Sequence, residues 1–248
     1  MEAKAGVESS RSVGSIIQIS KQLLLGDRTF LFGVTAQFAY VGAQVGIWSY
    51  TIRYVQLNVP GTTEQQAADY LLASLLAFVV GRFSTTKLIR TEFVSIYAIL
   101  KAYACIACLL SLSSAFLQNR HGCFCLVSIS FFLSTIFPTI FSLALAPLSD
   151  DAHRKVGAAL IVMSIIGGAV VTAIMGGISD LIGISMAFIV PAVCFVVVFM
   201  YGRHVSRVSA PAIKSGSDER GSMGVEMAQL PGAVVDEGDL LDVVYIAI

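Results

Sequence analysis

Charge is what this sequence is short of. Asp, Glu, Lys and Arg make up 13% of its 248 residues, about half the share of an ordinary soluble domain. The rest is 56% hydrophobic, with a mean hydropathy of +0.81. Such a chain has little to offer water, and lipid is the solvent it suits. The 16 basic and 16 acidic residues cancel, so no overall basic field invites nucleic acid. Histidine is scarce too. His121, His153 and His204 all fall between or after the apolar runs, so a serine nucleophile inside a membrane has no general base there. Intramembrane aspartyl chemistry needs two carboxylates within apolar runs, and Asp69 alone comes close. Cys105-x-x-Cys108 has only apolar neighbours and no histidine in reach. It reads as a pair of buried thiols rather than a metal or redox site. The stretch SDDAHRK, Ser149 to Lys155, reads as a solvated loop of mixed charge. Nothing points to an enzyme, a metal or a cofactor. No secretory signal peptide is evident, and about the first 28 residues are polar, so the first apolar run itself would direct insertion.

What is present is a series of long apolar runs. Six are long enough for a bilayer, which takes about 20 residues of helix: 30–55, 66–84, 93–117, 122–146, 157–179 and 184–202. Turn formers such as Pro60-Gly61 and Gln118-Asn119-Arg120-His121 separate them. The expected fold is an all-α membrane protein of six transmembrane helices. β-barrel strands would be about half as long and would alternate. Lys and Arg gather in the N-terminal tail, the second gap (Lys87, Arg90), the fourth gap (Arg154, Lys155) and the C-terminal tail. Positive residues stay inside, so both tails are expected in the cytoplasm. The expected organisation is a tail over 1–28 with an interfacial helix near Gly14 to Leu25, a six-span domain over 29–203, and an unstructured tail over 204–248. The expected location is the plasma membrane.

The first run contains FGVTAQFAYVGAQVGIWSY, Phe32 to Tyr50, which is not what lipid alone requires. At about 100° per residue, Gln37, Tyr40, Gln44 and Trp48 share one stripe and Gly42 and Gly46 another. The glycine stripe has the spacing of a close helix-packing face. An unpaired amide in hydrocarbon is costly. The polar stripe therefore either lines a wet cavity, with aromatics for a sugar ring and amides for its hydroxyls, or bonds across to neighbouring helices. Arg53 and Asp69 are expected as an ion pair or as rim charges; Arg82 is grouped with Lys87 and Arg90 as an orientation signal. Pro138 interrupts the fourth run, with Thr139 nearby, and broken membrane helices often border a substrate. Gly167 and Gly168 give the fifth run a slim, packable profile.

FGVTAQFAYVGAQVGIWSY, VVGRF, FPTIFSLAL and IVMSIIGGAVVTAIMGGISD together resemble the fucose permease-like branch of the major facilitator superfamily, in order and with matching gaps from about Gly26 to Arg203. The resemblance implies a sugar:proton symporter working by alternating access between two six-helix halves, of which this sequence matches the C-terminal one. It also implies that Gln37, Tyr40, Gln44, Trp48, Phe137 and Thr139 face substrate. The partners it implies are a sugar of fucose or hexose type, a proton, the bilayer, and either an N-terminal half or a second copy of the chain. The alternative is a non-transporting membrane remnant or a regulatory, sugar-binding subunit.

Overall fold

The computed structural model describes residues 16–90, 94–117 and 119–222. All regular structure among them is helical. A short α1 covers 16–26. It is followed by α2 (Arg28–Asn58), α3 (Glu64–Arg90), α4 (Ile96–Phe116), α5 (Arg120–Leu133), α6 (Ile136–Leu145), α7 (Asp151–Met163), α8 (Gly167–Ile182) and α9 (Ile189–Ser222). α5 and α6 form one broken span, and α7 and α8 form another, joined through the 3₁₀ turn Ser164–Ile166. Six spans result, each long and apolar enough to cross a membrane. The chain is an integral multi-pass membrane protein.

α2 and α9 outrun their apolar runs because polar groups cap and tie their ends. α2 starts at Arg28 because Asp27 Oδ1 accepts from the Thr29 and Phe30 amides at 2.9 and 3.1 Å. That satisfies two of the donors a helix start leaves bare. The last span does not stop near Arg203, where charge and small residues set the expected end. Val205 is buried, His204 Nε2 lies 3.3 Å from Thr29 Oγ1, and Lys101 Nζ donates to Ser206 Oγ at 3.4 Å. These contacts carry α9 onward, and its backbone stays helical to Ser222. The remainder of the expected unstructured tail, 223–248, lies outside the described residues, as do 1–15.

α2 is the hub. It packs against α3, α5, α6, α8 and α9, and 61% of its most apolar window is buried, against 22% for α3. α1 lays Leu23 into a small apolar cluster with Phe30, Ala144, Leu145 and Ile161, and leaves Ile16, Ile17 and Leu25 exposed.

The glycine stripe of α2 meets α8. A Cβ on Gly42 would overlap the Val171 side chain, with Val171 Cβ at 2.8 Å and Gly167 O at 2.9 Å. One on Gly46 would overlap Met175 Sδ. From the other side, a Cβ on Gly167 would run into the Phe38 carbonyl, and one on Gly168 would lie 3.1 Å from Val45. Two backbones come together here because the atoms that would hold them apart are missing.

Candidate functional site

The other stripe of α2 looks toward the broken span. α5 ends at Leu133 and α6 begins at Ile136. Pro138 has no amide hydrogen to give the carbonyl four residues back, and its ring disfavours the helical position. The carbonyl left over is that of Ser134. A bare carbonyl inside a bilayer costs several kcal/mol, so a donor has to come from elsewhere. Arg82 of α3 supplies it: Nε donates to Ser134 O at 3.2 Å. One residue earlier, the Tyr40 hydroxyl of α2 donates to Leu133 O at 2.8 Å. The break is therefore held from two neighbouring helices at once. α3 reaches close enough because Gly81 leaves room; a Cβ there would overlap the Phe131 carbonyl and sit 2.8 Å from Ser134 Oγ.

Aromatic rings extend this cluster along the wall. The Arg82 guanidinium carbon lies 5.6 Å from the Phe78 ring centre, within cation–π range. Phe78 meets Trp48 edge to face at 5.3 Å, and Trp48 Nε1 donates to Ser130 Oγ at 3.2 Å. Beyond the break, Phe137 stacks on Phe141 at 6.4 Å and meets the edge of Tyr40 at 6.3 Å.

The structure sorts the residues expected to touch substrate into two groups. Gln44, Trp48 and Phe137 are half-buried at the wall surface. Gln44 makes no side-chain hydrogen bond to any described residue. Tyr40, Gln37 and Thr139 depart from the expectation, being enclosed within the bundle. Tyr40 spends its hydroxyl on the Leu133 carbonyl. Thr139 spends its own on Thr135 O at 2.8 Å, one turn back in the same helix. Gln37 is wholly buried, and neither atom of its amide has a partner among the described residues. Part of this face of α2 is enclosed by neighbouring helices, which a single-helix projection cannot show.

The ion pair expected between Arg53 and Asp69 is not formed. Both side chains are exposed on α2 and α3, and among the described residues the only ion pair is Asp150–His153 at 2.6 Å. Rim charges in solvent have little reason to pair. The Asp150 carboxyl is held below its usual range by the hydrogen bond from His153.

Arg82, Phe78, Ser130 and Ser134 were not expected at the site. Arg82 carried a legible signal. It lies eight residues from the end of α3, about 12 Å along the axis, too deep for an end-of-helix marker. A shallow depression lined by Asn58, Pro60, Asn119, Arg120 and His121 sits at the far end of α2, away from this wall.

No protein-family model matches the chain. The chain is 44% identical over 183 residues to the L-fucose-proton symporter of Escherichia coli, covering 73% of this chain and 41% of that protein. The L-fucose-proton symporter of Haemophilus influenzae is 32% identical over 179 residues (68% and 40% covered). A glucose/galactose transporter of Brucella abortus is 31% identical over 176 residues (71% and 42%). Among solved structures, a variant of the E. coli fucose:proton symporter superposes with a TM-score of 0.70 at 41% identity, covering 75% of this chain and 45% of that one. A major facilitator superfamily transporter, FucP, in the outward conformation gives the same score and identity, with 75% and 44% covered. The chain thus spans less than half the length of the curated relatives it matches.

Proposed function

The chain corresponds to one six-helix half of a fucose permease-like transporter of the major facilitator superfamily, and we propose that it works as the C-terminal half of a sugar:proton symporter. The observation that carries this is the 44% identity to a fucose-proton symporter on a bundle whose centre holds a broken helix flanked by Gln44, Trp48 and Phe137. The sugar is of fucose or hexose type. Trp48 and Phe137 offer apolar ring faces to its carbon skeleton, and Gln44 offers an amide to its hydroxyls. Tyr40 and Thr139 act behind this surface by keeping the break in shape. Alternating access carries the sugar when the two halves rock about the wall. The membrane is the plasma membrane, and both tails are cytoplasmic, in keeping with the Lys and Arg of the flanks.

The test is uptake. The chain is co-expressed with the first six helices of the E. coli symporter, purified as a pair and placed in proteoliposomes under an inward proton gradient. L-Fucose, D-glucose and D-galactose are offered separately. Accumulation of at least one, abolished by a protonophore, supports the proposal. Binding without uptake would make the chain a non-transporting sugar-binding subunit.

A further inference from the structure

Arg82 is a cation inside a membrane span with no ion-pair partner among the described residues. Its Nε is engaged by Ser134 O and one face by Phe78, while the four remaining N–H groups of the guanidinium have no hydrogen-bond partner among the described residues. A charge at the centre of a span costs about 2.5–3.5 kcal/mol on insertion scales, and Arg82, eight residues from the end of α3, bears part of that cost. A carbonyl and a ring offset part of that. Neither supplies a counter-charge.

Among the residues whose side chains are described, no carboxylate is placed to supply one. Asp27, Glu64, Asp150 and Asp151 sit at helix starts, and Asp180 is in the last turn of α8. Asp69 lies 13 residues from Arg82 along α3, about 20 Å away. A second copy in the same orientation fares no better. Two copies related by an axis along the membrane normal set equal depths against each other, so Arg82 would face the level of Arg82. A neutral sugar adds hydrogen bonds but no charge. Meanwhile α3 is the least covered span, and Arg82 is only half-buried on it.

We infer that Arg82 is the docking charge of this half: it pairs with a carboxylate carried within a span of a different six-helix half, and not with a second copy of this chain. The inference rests on the chain being one half of a transporter. Arg82 then has two tasks, because the Nε–Ser134 bond ties the broken helix to the side chain that meets the other half. Arginine suits both, since its planar fork serves a carbonyl and a carboxylate from different edges.

The experiment uses the full chain, affinity-tagged, co-expressed with the first six helices of the E. coli L-fucose-proton symporter as the probe. The half retained in detergent is measured. The wild-type chain is expected to retain it. Arg82→Gln is expected to retain at least tenfold less and Arg82→Glu none, while Arg82→Lys keeps retention within about threefold of wild type. Amide replacement of one membrane-embedded carboxylate in the first half is expected to reproduce the Arg82→Gln loss, and exchanging the two charges to restore retention. A symmetric size-exclusion peak and a cooperative melt identify variants that remain folded, the melting temperature itself being expected to fall where Ser134 O loses its donor. Full retention by Arg82→Gln overturns the inference. So do equal losses in folded Arg82→Lys and Arg82→Gln, which would trace the effect to the Ser134 carbonyl alone. No retention by the wild type, or an Arg82-dependent pairing of this chain with itself, overturns it as well. Uptake failing while retention still depends on Arg82 removes the transport proposal only. Uptake persisting while retention ignores Arg82 removes this inference only.

Discussion

α2 has two working faces built on opposite principles. Toward α8 it is held by what is missing: Gly42 and Gly46 lack the side chains that would keep two backbones apart. Toward α3, α5 and α6 it is held by what is added: Tyr40 and Trp48 reach across to a carbonyl and a hydroxyl. The first face tolerates no extra atom and offers nothing to a ligand. The second is less tightly closed and keeps Gln44 at its surface. A transporter half needs both kinds of contact. In the proposed transport, one stays fixed while the sugar passes and the other meets it.

The contrast breaks most severely at the seam. Gly167→Ala drives a methyl group into the Phe38 backbone carbonyl, which cannot rotate away. Overpacking of this kind costs about 1–3 kcal/mol, occasionally more, and this position is expected at or above the top of that range. Thermal unfolding in detergent should show a drop of many degrees, or no folded peak on size exclusion. A melting curve equal to wild type would mean the seam is looser than its geometry implies.

At the wall the losses are smaller and come from unmet polar groups. Tyr40→Phe leaves the Leu133 carbonyl without its donor while keeping the ring beside Phe137. Stranding a buried acceptor costs about 1–3 kcal/mol, so a clear fall in melting temperature is expected. No change would show that the helix break needs no outside donor. Trp48→Phe removes the indole N–H from Ser130 and retains an aromatic face for Phe78. Interhelical bonds of this sort average about 0.6 kcal/mol in membranes. Stability should hardly move, whereas sugar uptake by the assembled pair should fall at least tenfold. The reverse pattern, a stability loss with normal uptake, would make Trp48 a packing residue.

The smallest effect should come from a glycine off the seam. Gly177 is in α8 as Gly167 is, but a Cβ there meets nothing within 4 Å. Gly177→Ala should be neutral or stabilise by up to about 1 kcal/mol, the usual helix-interior gain. A loss comparable to that of Gly167→Ala would mean that α8 packs along a second face, against something beyond the described residues.

Much of this fold could be read from the sequence, because a bilayer demands long apolar helices and leaves few alternatives. The six spans and the interruption at Pro138 follow from run length and from the chemistry of proline. The glycine stripe and polar stripe of α2 follow from helical period. What did not follow is which neighbour covers each stripe. Gln37 and Tyr40 share a wheel position with Gln44 and Trp48, yet the first two are enclosed and the last two half-open. Arg82 was missed for a related reason. A cation near Lys87 and Arg90 looks like part of a flank until its depth in the helix is counted. Its task is set by a carbonyl 52 residues away, which no local pattern reveals. The extension of α9 past Arg203 likewise depends on Thr29 and Lys101 meeting it from other helices.

Trp48 is the chain's single tryptophan, and it stands on the wall and away from the seam. The most direct measurement is its fluorescence as L-fucose, D-glucose or D-galactose is added to the chain paired with a tryptophan-free first half. A sugar that meets the polar wall should change the emission saturably, and Gln44→Ala should abolish the change while leaving the unliganded spectrum intact. Uptake proceeding with a Trp48 signal that no transported sugar alters would contradict the account, because the sugar would then pass without touching the face of α2 assigned to it.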